Sequence, residues 1–483
     1  MGTIIKRVYF FLISILLTYG LSGQEYISSE FLTSYDRDFV IDNFGIPATN
    51  GVDLYKIRYT SVDLEGMPDT LSGLIGIPQT ENLVHPLMLY AHGTVGSRES
   101  VPSRLSSEHS LIVIFGSLGY FSLAPDYLGL GDSQGVHPYV HADSEASACY
   151  DMIKAIRTSA AENDFLINDQ NFIFGYSQGG HAAMALHRYM EIENPDGYEV
   201  TAAAPSSGPY SISEEMRDFT LGDNEYFFVA YLASVAISYQ AAYKNILTEE
   251  GLSSFFKDEY AVEMEKYKDE EIDLFELNSR LINLLIQNHG KSLPKLMLRE
   301  NALNDILNNP DSPIAKALAA NDVYDWAPKA PTRLLYCKGD DQVVYTNSIV
   351  AEAKMKANGA EQVASLDMGT ELTHTQCVPG AVNLAIFFFD SYKDVSSSIF
   401  TPELNHDYEL FPNPAHDMVV IRNKSGYTTT GKITIMDISG RIITTRNAAT
   451  NEPIAIDGLN MGQYLVMWET NKSVEVHRLI IAH

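Results

Sequence analysis

The sequence predicts an α/β fold: a mostly parallel central sheet with helices on both faces, interrupted by a helical insertion and followed by a small all-β sandwich. Three observations predict the parts. Short unbroken apolar runs, PLMLYA, GYFSLAP, NFIFG, TAAAP and TRLLYC, alternate with longer segments of helical spacing such as SEASACYDMIKAIRTSAA and AVNLAIFFFDSYK. Runs without alternation suit strands buried on both faces, and strands alternating with helices imply a parallel sheet with right-handed crossovers. Between Pro209 and about Pro328 that rhythm stops, and FFVAYLASVAISYQAAY, YAVEMEKY and LFELNSRLINLLIQNHG carry helical spacing only, which sets the insertion at about 209–328. Beyond Ser396 come alternating short strands with turns at NKSG, DISGR, DGLNMG and ETNKS, the even spacing of a sandwich of about seven strands.

Taken in chain order, residues 1–23 have the three-part layout of a secretory signal peptide: Lys6 and Arg7, the apolar run VYFFLISILLTYG, then Leu21, Ser22 and Gly23. The main domain is expected over 24–395. Within it residues 52–78 alternate apolar and polar on both sides of the turn LEGMPD, the pattern of an antiparallel hairpin with one covered face. A linker is expected at 396–408 and the sandwich at 409–483.

The chain of 483 residues is 45% hydrophobic and 20% charged, with a formal net charge of -29. That acidity, spread along the chain, argues against nucleic acid or an anionic membrane surface as a partner. Three cysteines are too few for a disulfide scaffold and too scattered for a zinc knuckle. For Cys337 and Cys377 the sequence leaves two readings open, a bridge and buried free thiols.

Chemistry concentrates in Gly175-Tyr176-Ser177-Gln178-Gly179, a GxSxG pentapeptide between the apolar run NFIF and the helical GGHAAMALHRYM. A strand-to-helix turn this tight forces strained angles on the serine and excludes side chains two residues to either side. Ser177 is therefore the candidate nucleophile, and the amide of Gln178, at a helix start, a candidate oxyanion donor. A serine needs a base oriented by a carboxylate, and in this type of fold the chain order is Ser, acid, His. TRLLYC ends in Lys338-Gly339-Asp340-Asp341, and the next histidine, His374, is expected in the loop GTELTHTQCVPG before the last helix. Asp340 is preferred as the acid because it stands first in its loop; Asp341 suits a cap for the helix starting near Thr346. The second oxyanion donor is assigned to Thr94 in HGTVG, where His92 suits a bracing role. Tyr127, in DYLGLGDS, and Tyr176 are expected to line the substrate pocket.

At these residues the chain resembles the α/β-hydrolase superfamily, and within it the secretory-lipase-like esterases: HGTVG, PDYLGLG, GYSQGGHAA and YCKGDDQV stand in that group's order over roughly residues 30–395. The resemblance implies hydrolysis of carboxylic esters through an acyl-enzyme, with the insertion as a cap over the acyl pocket and with no metal or cofactor. The last 75 residues or so resemble the C-terminal sorting domain of type IX secretion, in Phe411-Pro412-Asn413-Pro414-Ala415, Asp437-Ile438-Ser439-Gly440-Arg441, Leu459-Asn460-Met461-Gly462-Gln463-Tyr464 and the closing HRLIIAH. This implies the type IX machinery as a partner, and a secreted or surface-displayed product. The rival readings are a serine peptidase or a glycan or feruloyl esterase with the same triad, and a non-catalytic surface-binding protein on the same fold. For the sandwich alone the rival is a carbohydrate-binding module, against which stands the lack of an aromatic platform, Trp468 being its only tryptophan.

Overall fold

In the computed structural model, which describes residues 25–394, 396–397, 408–437, 442–456, 458–470 and 474–481, one large sheet organises the chain up to residue 394. The expected signal peptide at 1–23, most of the linker 396–408 and the turn DISGR apart from Asp437 lie outside the described residues. The chain enters through β1 (Tyr26–Tyr35) and α1 (Arg37–Phe44). The hairpin expected at 52–78 follows as β2 (Val52–Val62) and β3 (Pro68–Pro78), paired antiparallel from Val52 opposite Pro78 to Val62 opposite Pro68. Then come β4 (Leu83–Ala91), α2 (His109–Ser117), β5 (Phe121–Pro125), α3 (Ala142–Ser159), β6 (Ile167–Tyr176), α4 (Gln178–Ile192) and β7 (Ala202–Ser206).

Between β7 and the next strand the described chain is helical: a π-helical turn at Ile212–Met216, then α5 (Arg217–Thr220), α6 (Ala230–Tyr243), α7 (Asp258–Lys268), α8 (Leu274–His289), α9 (Glu300–Leu307) and α10 (Pro313–Ala320). This segment has its own apolar core, in which Val229, Phe256, Met264, Leu281 and Met297 are fully buried. The sheet resumes with β8 (Thr332–Tyr336), α11 (Thr346–Ala357), β9 (Val363–Asp367) and α12 (His374–Asp390), and β10 (Ser396–Ser397) pairs with the start of β4.

The strand order is β1-β2-β3-β5-β4-β6-β7-β8-β9, antiparallel from β1 through the β3–β5 contact and parallel from β5 to β9. After β4 the chain first adds β5 on one side and then crosses to add β6 on the other. The carboxyl ends of β4 and β6 thus sit side by side at a topological switch point, where open α/β sheets bind ligands. Helices cover both faces: Leu89, Leu123, Ile153 and Leu186 are buried in one layer and Met88, Phe115, Phe174 and Phe389 in the other.

The last region contains β11 (Tyr408–Phe411), β12 (Met418–Asn423), β13 (Thr430–Asp437), β14 (Ile442–Ala449), β15 (Ile454–Ala455), β16 (Gly462–Glu469) and β17 (Val474–Ile481). They form two antiparallel sheets, β11-β12-β15 and β14-β13-β16-β17. Trp468 is fully buried in their core with Val419, Ile421, Ile433 and Leu479, so the tryptophan is a packing residue and offers no exposed platform.

Candidate active site

The glycines expected to permit a tight elbow do so by measurable contact. A Cβ on Gly175 would lie 1.9 Å from the carbonyl oxygen of Gly179, and one on Gly179 would lie 2.0 Å from that of Ala91 at the end of β4. Neither backbone can retreat without separating α4 from the sheet, so only glycine fits. Between them Ser177 adopts φ 63° and ψ -125°, a strained conformation for a residue with a side chain. The next residue, Gln178, opens α4, so Ser177 stands where the helix presents its free amides.

His374 and Asp340 are in contact. His374 Nδ1 donates to Asp340 Oδ2 at 2.7 Å, and both side chains are almost fully buried. The other carboxylate oxygen of Asp340 accepts from the amides of Gln342 and Val343 at 3.0 and 2.9 Å, which fixes its plane. His374 Nε2 is buried and has no hydrogen-bond partner among the described residues. Such an orphan is costly unless a ligand or reacting group uses it.

Two details differ from the sequence reading. His374 lies at the first position of α12, not in the preceding loop, because Thr373 and Gln376 form a capping box that starts the helix ahead of Pro379. Pro379 stands inside α12, where its nitrogen has no hydrogen to donate to the helix. Asp341 does not cap α11, whose start has no side-chain cap; its Oδ1 accepts from the His374 amide at 3.1 Å. Of the two cysteine readings the bridge holds: Cys337 and Cys377 form a disulfide with Cα atoms 6.0 Å apart. Cys149 is a buried free thiol whose pKa is pushed up by desolvation.

The loop after β4 reaches the elbow. A Cβ on Gly93 would lie 3.9 Å from Ser177 Cβ, which puts Thr94 beside the serine's turn. His92 is fully buried, with Nδ1 2.8 Å from the Gly93 carbonyl and Nε2 3.3 Å from the Asp126 carbonyl, so the ring nitrogen that carries the proton has a carbonyl to donate to in either tautomer. Tyr127, expected in the pocket, lies beneath the loop: 1% exposed, it stacks on His92 and donates to the His92 carbonyl at 3.0 Å. Tyr176 also faces away from the cavity. Its hydroxyl donates to the His374 carbonyl at 2.7 Å and its ring packs on the imidazole. Both tyrosines point inward because their backbone positions, at or just past a strand end buried on both faces, direct the ring into the layers rather than over the rim.

Two cavities meet at the elbow. One is apolar and is lined by Ser177 together with Leu232, Val235, Phe255 and Ile314. The other has a mixed lining, in which Thr94, Arg98, Ser234, Glu270 and Asp273 stand beside Leu130, Ile237 and Ile272. Tyr139 and Gln178 line both. Helix α6 is the partition: Leu232, Val235 and Ala236 line the apolar cavity, and Ser234, Ile237 and Ser238 the mixed one. The helical segment is joined to the loop that carries Asp340 as well, since Tyr226 and Tyr231 donate to the carbonyl and side-chain oxygens of Gln342 at 3.0 and 2.9 Å.

Sequence reasoning missed the polar residues behind Gln178. Glu145, His181 and His137 surround its side chain, and they come from α3, α4 and the loop before α3. A glutamate in a helical run reads as solvated surface, and nothing in the sequence marks Glu145 as 1% exposed. Among the described residues no group of three or more His, Cys, Asp or Glu is placed to hold a metal ion, and no helix is long and apolar enough to cross a membrane.

Comparison with known proteins agrees with this architecture. Residues 409–482 match the secretion system C-terminal sorting domain. No curated protein matches the chain. Among solved structures, a variant of the rice cell wall degrading esterase LipA from Xanthomonas oryzae is 30% identical over 73% of this chain and 92% of its own, with a TM-score of 0.65. A hydrolase from Legionella pneumophila is 26% identical over 76% of this chain and 98% of its own, with a TM-score of 0.66. Candida antarctica lipase A, at 14% identity over 76% and 81% with a TM-score of 0.57, shares the fold. The chain belongs to the LipA-like esterases of the α/β-hydrolase superfamily and ends in a secretion system C-terminal sorting domain.

Proposed function

We propose that the chain is a secreted serine hydrolase that cleaves carboxylic esters through an acyl-enzyme on Ser177. The observation that carries the reading is the buried Asp340–His374 pair, whose Nε2 has no hydrogen-bond partner among the described residues and whose imidazole packs against Tyr176, the residue before the elbow serine that lines an apolar cavity. In this mechanism His374 takes the Ser177 proton as the oxygen attacks the ester carbonyl, and Asp340 holds the ring in the tautomer that leaves Nε2 free to accept. The amides of Gln178 and Thr94 stabilise the tetrahedral oxyanion. His374 then delivers the proton to the leaving alcohol, and water, activated by the same nitrogen, releases the acid. Every proton moves through Nε2, so no metal or cofactor is needed.

The two cavities suggest how the ester lies: the acyl chain in the apolar cavity beside Ser177 and the alcohol toward the mixed cavity beside Thr94. The hydrogen-bonding groups of the mixed cavity, Arg98, Ser234, Glu270 and Asp273 among them, support, as a second reading, an acylated glycan as substrate, in line with the cell-wall-degrading relative. The signal peptide expected at 1–23 and the sorting domain would carry the enzyme through the type IX machinery to the cell surface or medium.

The test is labelling of the mature protein with a fluorophosphonate, together with hydrolysis of p-nitrophenyl esters from acetyl to long-chain acyl. Wild type should label and turn over; Ser177→Ala should do neither, with kcat lower by about 10⁴-fold or more. Equal labelling and turnover of the two proteins would end the serine mechanism, and cleavage of aminoacyl amides in preference to esters would favour a peptidase.

A further inference from the structure

The catalytic reading uses only the backbone amide of Gln178, yet its side chain is among the most constrained in the molecule. It is 1% exposed, and Nε2 donates to Glu145 Oε1 at 2.9 Å and to His137 Nε2 at 2.8 Å. Glu145 is anchored in turn: its other oxygen accepts from His181 Nδ1 at 2.6 Å, and His181 Nε2 lies 2.8 Å from the Asn321 carbonyl. His137 donates from Nδ1 to the Leu128 carbonyl at 2.9 Å, which leaves Nε2 as an acceptor. Desolvation lowers its pKa to about 4, so the ring is neutral at ordinary pH.

Two residues further on, the Tyr139 hydroxyl is hydrogen-bonded to Thr94 Oγ1 at 3.1 Å. One cap residue joins the two positions: Ser238 Oγ donates to the His137 carbonyl and accepts from the Tyr139 amide, both at 2.9 Å. The two expected oxyanion donors sit on different segments, the loop after β4 and the start of α4, so nothing in the covalent chain fixes their spacing. A three-residue stretch touches both.

We propose that residues His137 to Tyr139 are a brace that sets the spacing of the oxyanion hole, His137 through the side chain of Gln178 and Tyr139 through Thr94, with Ser238 of α6 fixing the brace from the cap. These are positioning residues, since none is asked to touch the reacting atoms. An oxyanion hole acts only if both donors already point at the developing charge, so a loosened brace weakens binding of the transition state more than binding of the substrate.

The inference rests on Ser177 as nucleophile, and the test separates the two. The mature protein is compared with His137→Leu, His137→Gln, Tyr139→Phe and Ser177→Ala for p-nitrophenyl butyrate turnover, thermal midpoint, and affinity for butylboronic acid, which forms a tetrahedral adduct. His137→Leu should lower kcat by about 10- to 100-fold with KM within about threefold, and weaken the boronic acid by a similar factor. His137→Gln, which places Oε1 where Nε2 was, should recover most of both. If His137→Leu does not fold, Tyr139→Phe carries the test, with kcat and boronic acid affinity both lower by about tenfold. Wild-type values for these variants beside an inactive Ser177→Ala overturn the brace alone; an active Ser177→Ala overturns the nucleophile and the brace with it.

Discussion

The proposed acid–base corner of this site, Asp340 and His374, and its proposed nucleophile–oxyanion corner around Ser177 are built by different means. The first is stapled: the Cys337–Cys377 disulfide begins three residues before Asp340 and ends three residues after His374, tying the end of β8 to the first turn of α12. The second has no covalent tie among the described residues. It is held by backbone contact at Gly175 and Gly179 and by a buried hydrogen-bond network around Gln178. A staple fixes two elements whatever their sequence, whereas close contact and buried polar networks require every member to be right. The nucleophile corner should therefore be the more brittle of the two.

The largest expected effect follows from contact. Gly179→Val would drive its side chain into the Ala91 carbonyl, already 2.0 Å from where a Cβ would begin. Because the obstacle is backbone, the loss should exceed about 3 kcal/mol, and in thermal unfolding the variant should melt far below the wild type or fail to accumulate folded. A wild-type melting curve would mean that α4 can swing away from β4 at little cost.

Next comes a break in the chemistry without a break in the fold. Asp340→Asn keeps the volume and an oxygen for the Gln342 and Val343 amides, but it can present an N–H to His374 Nδ1 and so reward the wrong tautomer. A fall in kcat of about 10⁴-fold is expected, with the melting temperature nearly kept. A loss of tenfold or less would show that His374 does not depend on Asp340 for its orientation.

The staple itself should matter more to stability than to rate. Replacing both Cys337 and Cys377 by Ala releases a loop spanned by a sequence separation of 40, which the chain-entropy account values at about 4 kcal/mol. At low temperature activity should fall by less than about threefold, since Asp340 keeps its two amide donors and His374 its capping box. Calorimetry and assays over a temperature series would check this; a full loss of activity in a folded, cold protein would make the bridge the sole support of the acid–base pair.

The same contrast explains what could be seen in the sequence. The elbow was legible because its constraint is local: glycines two residues either side of Ser177, an apolar strand before and a helix after. The order of Asp340 and His374 was legible because the sheet topology orders the loops. The brace was not, because Glu145, His137 and the side chain of Gln178 meet only through tertiary packing: the elbow motif marks the amide of Gln178, not its side chain, and Glu145 and His137 alone look like ordinary surface residues. Strand β1 also gave no signal, since as an edge strand it is exposed along most of its length and lacks the alternation that a half-buried strand shows. Cysteine spacing says nothing of pairing, so the disulfide needed coordinates.

The smallest expected effect bears on the choice between adjacent aspartates. Asp341 lies on the same loop as Asp340 but meets His374 through the backbone amide rather than the ring. It therefore serves the start of α12, where a carboxylate is favoured by the helix dipole and satisfies one free N–H. Asp341→Ala should cost about 0.5–1 kcal/mol of stability and lower kcat by less than about tenfold, because Thr373 and Gln376 still cap the helix that carries the imidazole. Measured beside Asp340→Asn under one assay, the two variants should differ by about 10³-fold. Equal losses would mean that the helix start, rather than the carboxylate on Nδ1, is what keeps His374 in place, and the acid–base corner would then be as dependent on backbone hydrogen bonds as the corner opposite.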